Sequence, residues 1–409
     1  MGEAEFRPCL RYVEVFPFAD DKGRSMFGLR DPQHISSQIL CVSPDVANAL
    51  QFLDGTRTLE EIRSEYQRRY NKEFPADHLR QVVRALDESY FLDNDSFRRY
   101  LTKLVESFRQ AEIREAFHAG NSYSKDAVDL RNSITAFFSG PNGPGLPDGA
   151  LSEREIPAII APHIDLRIGG HTYAWAYKTL AEAKKPDVVI VLGTGHSGLK
   201  NLFSLTRKRF ATPLGELEID SEFVDRLTTL YPYDLFSEEL AHRTEHTIEF
   251  QVLFLQLLFG SGVSLVPILC SFAYTMARDG NPAQAIRQFT EALRMAIRQD
   301  GRRICLVASA DLAHVGPRYG DKEGFDGERL EKIKEEDREM LAYVEKVDAD
   351  GFLDYIVREG DRRRICGLSP IYTMLKVLEA RKGTVLSHSH GEMDKYGSVC
   401  SYASVILEA

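Results

Sequence analysis

No apolar run in this 409-residue chain reaches the roughly 18–20 residues needed to cross a bilayer, so no membrane-spanning helix is expected. The opening stretch MGEAEFRPCLRYVEV lacks a basic region followed by an apolar one, and no secretory leader is expected from it. Position 6 is Phe, where an N-myristoylation signal needs Ser or Thr. Positive charge is in deficit: 51 Lys and Arg against 61 Asp and Glu leave a formal net charge of -10. A broad nucleic-acid-binding face is therefore not expected. There is no Cys-x-x-Cys pair, which removes a thiolate zinc ribbon. The six cysteines (Cys9, Cys41, Cys270, Cys305, Cys366, Cys400) are widely scattered. They read as reduced cytoplasmic thiols, not as a disulfide framework. No internal repeat or low-complexity tract is present. What remains is a globular composition over a length beyond one ordinary core, which predicts two domains.

Residues 1–97 read as the first. In VSPDVANALQFL, Ser43-Pro44-Asp45 is a helix-start signal, and DGTRT is a turn. Thr58 then stands three residues before Glu61, the capping-box spacing, with Leu59, Ile62 and Tyr66 along one helical face. A third helix carries Leu79, Val82, Val83 and Leu86 inward. These small helices, the DGTRTLEEI turn and the closing YFLDND resemble a PqqD-like winged-helix domain. That resemblance implies peptide recognition, with a radical SAM enzyme as partner. A structural three-helix cap fits the same residues. Residues 98–113 read as a charged amphipathic connector, and the Gly- and Pro-rich stretch 139–153 as a surface loop.

The remainder alternates apolar runs with helical patterns, as an α/β fold does. IPAIIAPHI ends at His163, DVVIVLGTGH at His196, and ICLVASADLAH at Asp311 and His314; VSLVPILCSF is a fourth run. Continuous apolar strands separated by helices predict a mainly parallel sheet flanked by helices, preceded by the small winged-helix-like α(+β) domain. In such sheets ligands bind beyond the carboxyl ends of the strands. Three of the four runs release His or Asp there. Glycines around His196 permit a tight turn and close backbone approach.

HRTEHTIEFQVLFLQLLFG, residues 242–260, predicts a buried helix from Thr247. His242 and His246 at i, i+4 offer a zinc pair, but the Glu that follows the first His in HExxH is missing. The other reading aims Glu245 and His246 into the strand-end cleft. Cys366, in RRRICGLSPIYTMLKVLEA, stands before a helix near positive charge and is a thiolate candidate; a buried inert thiol is the alternative. His388 and His390 read as exposed residues near a turn.

Blocks in a fixed order carry a wider resemblance: EAFHAGNSYSKDAVDLRNSITAFF, APHIDLRIGGHTYAWAYKTL, VVIVLGTGHSG, ATPLGELEID, TEHTIEFQVLFLQLLFG, VPILC, ASADLAHVG, CGLSPI and VCSYASVIL. Over 114–409 the chain resembles Memo-like proteins, which include AmmeMemoRadiSam system protein B. That family is similar in fold to class III extradiol dioxygenases, which use non-haem iron(II). The resemblance implies metal ligands at His163, His196 and Cys366, with Asp311, His314 and His246 lining the same pocket. His314 falls where the dioxygenases keep an acid/base histidine. Two imidazoles and a thiolate suit iron(II) or copper better than calcium or magnesium. The implied activity is a metal-dependent redox enzyme; a non-catalytic scaffold working with a radical SAM enzyme is the alternative. The chain departs from the family pattern at PHIDLRIGG, which sets Asp165 and Arg167 beside His163 where aromatics are usual, and at GTGH in place of GPSH.

Overall fold

A computed structural model describes residues 6–149 and 152–408; positions 1–5, where no leader was expected, lie outside the described residues, as do 150 and 151 of the loop 139–153. The chain divides into two compact units, Met1–Gln110 and Ala111–Ala409.

In the first unit, strands β1 (Glu14–Ala19), β2 (Ser25–Arg30) and β3 (Ile39–Val42) form an antiparallel sheet in that order. Helices α1 (Pro44–Leu50), α2 (Leu59–Tyr70), α3 (Ala76–Glu88) and α4 (Asp95–Gln110) follow. Ser43 caps α1 with Pro44 in its first turn, and Thr58 and Glu61 close a capping box on α2. Leu79, Val83 and Leu86 of α3 are buried against Val46, Ile62 and Tyr66, with Val82 half-buried at the edge. Helix α4 takes in most of the stretch read as a connector and ends at Gln110.

The second unit contains, in chain order, β4 (Ile113–Arg114), α5 (Ala127–Ser139), β5 (Ala158–Ala161), α6 (Leu166–Ala181), β6 (Val188–Thr194), β7 (Phe203–Leu205), β8 (Arg209–Thr212), β9 (Gly215–Leu217), α7 (Ser221–Leu230), α8 (His246–Phe259), β10 (Ser264–Cys270), α9 (Tyr274–Arg278), α10 (Gly280–Arg298), β11 (Ile304–Ser309), β12 (Asp311–Val315), α11 (Gly327–Glu345), α12 (Ala349–Glu359), α13 (Leu368–Val377), β13 (Lys382–Glu392) and β14 (Val399–Glu408). Its main sheet runs β12-β14-β5-β11-β6-β10-β7, with β13 on the other side of β14. The four strands read from the sequence, β5, β11, β6 and β10, are parallel neighbours at its centre. Antiparallel β14 and β7 flank them, so the sheet is mixed.

Alternation along β6 explains its unbroken apolar run. Val188, Ile190 and Leu192 pack with α7, α10 and α13, while Val189 and Val191 pack with α6 and α8. On the second face Phe254 stacks against Tyr173 and Tyr177, with ring centroids 5.0 Å away in both cases. Among the described residues no helix is long and apolar enough to cross a membrane.

Two local readings change. The run ending at His314 is not one strand: β11 stops at Ser309, and β12 turns off to pair with β14, setting His314 opposite Cys400. Asp311 drives the break. Its Oδ1 accepts the main-chain N–H groups of His163 (2.9 Å) and Ile164 (3.1 Å) beyond the end of β5, which holds the chain away from the β11 direction. His388 and His390 lie within β13, not at a turn, and His388 Nε2 is 3.1 Å from Asp337.

Candidate metal centre

Because β5 and β6 run parallel, separated only by β11, their carboxyl ends bring His163 and His196 side by side, with ring centroids 5.1 Å apart. Cys366 arrives from the loop before α13. One donor atom from each of His163, His196 and Cys366 lies within 4.8 Å of the others, and Cys366 Sγ is 3.2 Å from His163 Nε2. Ligands sharing one tetrahedral ion sit about 3.5 Å apart, given metal–nitrogen and metal–sulfur bonds of roughly 2.0 and 2.3 Å.

Each imidazole is oriented by its other nitrogen. His163 Nδ1 lies 3.0 Å from Ser309 O, which can only accept, so Nδ1 carries the proton and Nε2 offers its lone pair. Ser309 is itself held: Gln251 Nε2 donates to its Oγ (2.8 Å) and to Pro162 O (2.7 Å). Burial, followed by the charges of His196 and His246, holds the His163 imidazole well below its usual pKa. His196 donates from Nδ1 to Glu245 Oε1 at 3.0 Å, leaving Nε2 free, and 41% of its side chain is exposed. Desolvation of the ring opposes charge on His196, but the Glu245 carboxylate outweighs it and raises the pKa.

Glu245 is the N-cap of α8, so the helix begins at His246. His242 sits earlier, in a 3-10 turn, buried, with Nε2 3.1 Å from Ser204 O. The i, i+4 zinc pair therefore has no common helix to stand on. His246 stacks on His196 (5.0 Å, 10°) and meets His163 edge-on at 5.4 Å, as one wall of the cleft.

The three arginines before Cys366 do not polarise its thiol. Arg362 pairs with Glu336, Arg363 with Asp337 and Glu359, and Arg364 with Asp321. With those charges spent, burial dominates and pushes the Cys366 thiol well above its usual pKa. What the arginines do is staple the loop. His314 N donates to Arg363 O (2.6 Å), Arg364 Nη1 to His314 O (3.1 Å), and Gly367 N to Asp311 O (3.0 Å). A Cβ on Gly367 would stand 2.5 Å from Asp311 O, so only glycine permits this approach.

Asp311, His314 and Cys366 form a second group of donors within 4.8 Å, and His196, Glu245 and His246 a third. Asp311 makes no hydrogen bond to His314 among the described residues. His314 Nδ1 faces Leu312 O at 3.2 Å, and its Nε2 faces Cys400 Sγ at 3.4 Å. Asp311 Oδ2 stands between His163 Nε2 (3.6 Å) and Cys400 Sγ (3.8 Å). Burial raises the pKa of the Asp311 carboxyl and lowers that of the His314 imidazole. Cys400 and His118, the latter 5.7 Å from the His246 ring, were not picked out beforehand. The only sequence signal for Cys400 is its place on an apolar strand, because its pairing with His314 spans 86 residues.

A family model described as Memo-like protein matches residues 114–406. A MEMO1 family protein from Aquifex aeolicus is 27% identical over 405 residues, spanning 98% of this chain and 100% of the relative. One from Sulfolobus acidocaldarius is 32% identical over 305 residues, 72% of this chain and 98% of its own length. A solved structure, an uncharacterized protein JW3007 from Escherichia coli K12, covers 62% of this chain and 99% of its own at 15% identity, with a TM-score of 0.34 that is too low to bear on fold or function. The family match spans nearly all of the second unit, including the elements that carry the clustered histidines and Cys366, and the chain belongs to the Memo-like family.

Proposed function

We propose that the second unit is a metal-dependent redox enzyme of the dioxygenase type, with iron(II) or copper held by His163, His196 and Cys366. The observation that carries this reading is the convergence of two imidazole nitrogens and one thiol sulfur within 4.8 Å from three separate stretches of chain. The donors fit such an ion: His163 Nε2 and His196 Nε2 point lone pairs away from partners that fix their other nitrogens, and the nitrogen–sulfur set favours a soft ion. When bound, the ion would supply redox chemistry and a site for oxygen or substrate. The chain's own groups do the rest. His314, kept neutral by burial, accepts a proton at Nε2. Asp311 fixes the turn that carries His163, and His246 bounds the cleft where substrate would lie.

Metal analysis of the wild type beside Cys366→Ser, purified under anaerobic and reducing conditions, tests the site. Stoichiometric iron or copper in the wild type and its loss in the variant are expected. A wild type without transition metal refutes the reading. His314→Ala should abolish cellular function while metal is retained.

A second reading makes the chain a scaffold that captures peptides through the first unit, as a PqqD-like domain working with a radical SAM enzyme would. It is favoured by a cavity of about 360 Å³ between edge strand β3 and helix α3, lined by Leu40, Val42, Val46, Val82 and Leu86. An edge strand offers unpaired main-chain groups to an added strand. Peptides selected from a random library on the full chain should lose binding in Val82→Glu. Undiminished binding would count against this reading.

A further inference from the structure

A cavity of about 670 Å³ stands apart from the donor clusters. It opens between the loop 120–126, helix α5 and the first turn of α6, and its size suits a small organic molecule. Leu130, Ile134 and Phe137 of α5, with Leu166 of α6, give it an apolar floor. Lys125 and Arg167 stand on its rim.

The two cations are placed differently. Arg167 is chelated by Asp165 through Nε (2.8 Å) and Nη2 (2.5 Å), which neutralises its charge and leaves Nη1 uncommitted. Lys125 makes no ion pair among the described residues. Its stem is laid across Gly120: a Cβ there would lie 2.3 Å from Lys125 Cε, and Gly120 has φ +85. The stem of Lys125 is thus packed along the loop that forms the rim, with its ammonium in solvent at the cavity mouth. Asp126, the one other charged group in the lining, has its carboxylate turned into the start of α5, where Oδ1 accepts the N–H groups of Val128 (2.8 Å) and Asp129 (2.9 Å). The uncompensated charge facing the cavity is that of one ammonium.

The cavity adjoins the cleft. Leu166 and Arg167 follow His163 by three and four residues, and the Tyr123 ring in the lining is 6.2 Å from Phe250, which is 5.2 Å from His246.

We infer that this cavity binds a small organic monoanion, a carboxylate carrying an aryl or alkyl body, with Lys125 and Arg167 Nη1 on the carboxylate and the α5 floor under the body. A doubly charged phosphate is disfavoured, because a single free ammonium would leave one negative charge beside Asp165 and Asp126. The role as the substrate-holding part of the centre rests on the function proposed above; the binding does not.

Calorimetric titration of the full chain, stripped with a chelator, with 3-phenylpropionate, 3-phenylpropanamide and phenyl phosphate tests it. The carboxylate should bind, the uncharged amide at least tenfold more weakly. Lys125→Met, which keeps the stem, should weaken carboxylate binding at least tenfold, and Arg167→Gln should weaken it less. No carboxylate binding by the folded wild type, undiminished binding by Lys125→Met, or tighter binding of phenyl phosphate would each overturn the inference. The same titration on Cys366→Ser should give wild-type affinity. If Cys366→Ser keeps its metal, the proposed centre fails while the carboxylate site stands. If the wild type holds metal but does not bind the carboxylate, the reverse is true.

Discussion

Replacing Glu245 with glutamine preserves side-chain shape and removes one charge at the point where two histidines are oriented. Glu245 Oε1 receives three N–H donors, from His196 Nδ1 (3.0 Å), His246 N (2.9 Å) and Thr247 N (3.3 Å). Its Oε2 receives His196 N at 2.8 Å. An amide has one acceptor, and three donors draw it to the Oε1 position. The NH₂ group then confronts His196 N–H, donor against donor. This N–H is part-buried, so leaving it without an acceptor costs about 1 kcal/mol, the low end of the range for buried groups, and the surviving His196 Nδ1 bond falls to about half its charge-assisted strength. Glu245→Gln should therefore lose about 1–2 kcal/mol of stability and bind metal about 10–100-fold more weakly, the usual cost of disabling a ligand's outer partner. Anaerobic iron(II) titration against a chromophoric chelator, beside urea unfolding of the metal-free proteins, measures both. The affinity gap should narrow as pH falls, because Glu245 raises the pKa of His196 and the wild type meets more proton competition at that nitrogen. A folded variant with wild-type affinity would refute the assignment of Glu245 as the orienting carboxylate.

Gly367→Ala should displace the Cys366 loop, since its Cβ would fall 2.5 Å from Asp311 O and 2.6 Å from Ala310 Cβ. A stability loss of about 1–3 kcal/mol with at least tenfold weaker metal binding is expected in the same two assays; loss of stability alone would mean that the loop does not set the donor geometry. Asp300 is held down to about 2 by its hydrogen bonds to Arg302 and Arg226, although burial pulls the other way. A depressed carboxyl contributes stability above its unfolded value near 4 and loses it as pH falls toward 2. Discounted for solvent screening, the contribution is about 1–2 kcal/mol. Asp300→Asn should lower stability by that amount at neutral pH and flatten the acid limb between about pH 4 and 2; identical acid limbs in melts of both proteins would contradict it.

The legible parts of the site are those that local sequence controls. His163 and His196 could be placed because an unbroken apolar run betrays a strand buried on both faces, and its end marks the sheet's binding edge. Asp311 was visible for the same reason, although its task was not. Its carboxylate is spent on the turn after β5, a contact 148 residues away along the chain. Cys366 was joined to the histidines only through the family resemblance, since no periodicity links a loop cysteine to strands more than 170 residues earlier. The arginines beside it misled: net charge along the sequence does not reveal that Glu336, Asp337, Glu359 and Asp321 would absorb all three. Cys400 lay in a strand whose register against β12 is a tertiary fact. In the first unit, the Thr58–Glu61 capping box was readable because its partners are three residues apart.

The resting contacts of Cys366 set a further requirement on metal uptake. Its Sγ lies 3.2 Å from His163 Nε2 and 3.7 Å from Asp311 O, and both are acceptors, because His163 Nδ1 already carries the ring's proton. The thiol proton thus occupies the line along which an ion would join sulfur to nitrogen. Burial keeps that proton in place by pushing the thiol well above its ordinary pKa. His163 has no proton on Nε2 to lose, whereas Glu245 raises the pKa of His196 and so strengthens proton competition there. Binding a divalent ion near pH 7 should therefore release at least the thiol proton, and apparent affinity should rise about tenfold per pH unit for each proton displaced. Calorimetric titration in buffers of different ionisation enthalpy counts them. Release of no protons would mean that Cys366 enters as a neutral thiol or does not enter at all, and the His163, His196 and Cys366 set would have to be abandoned.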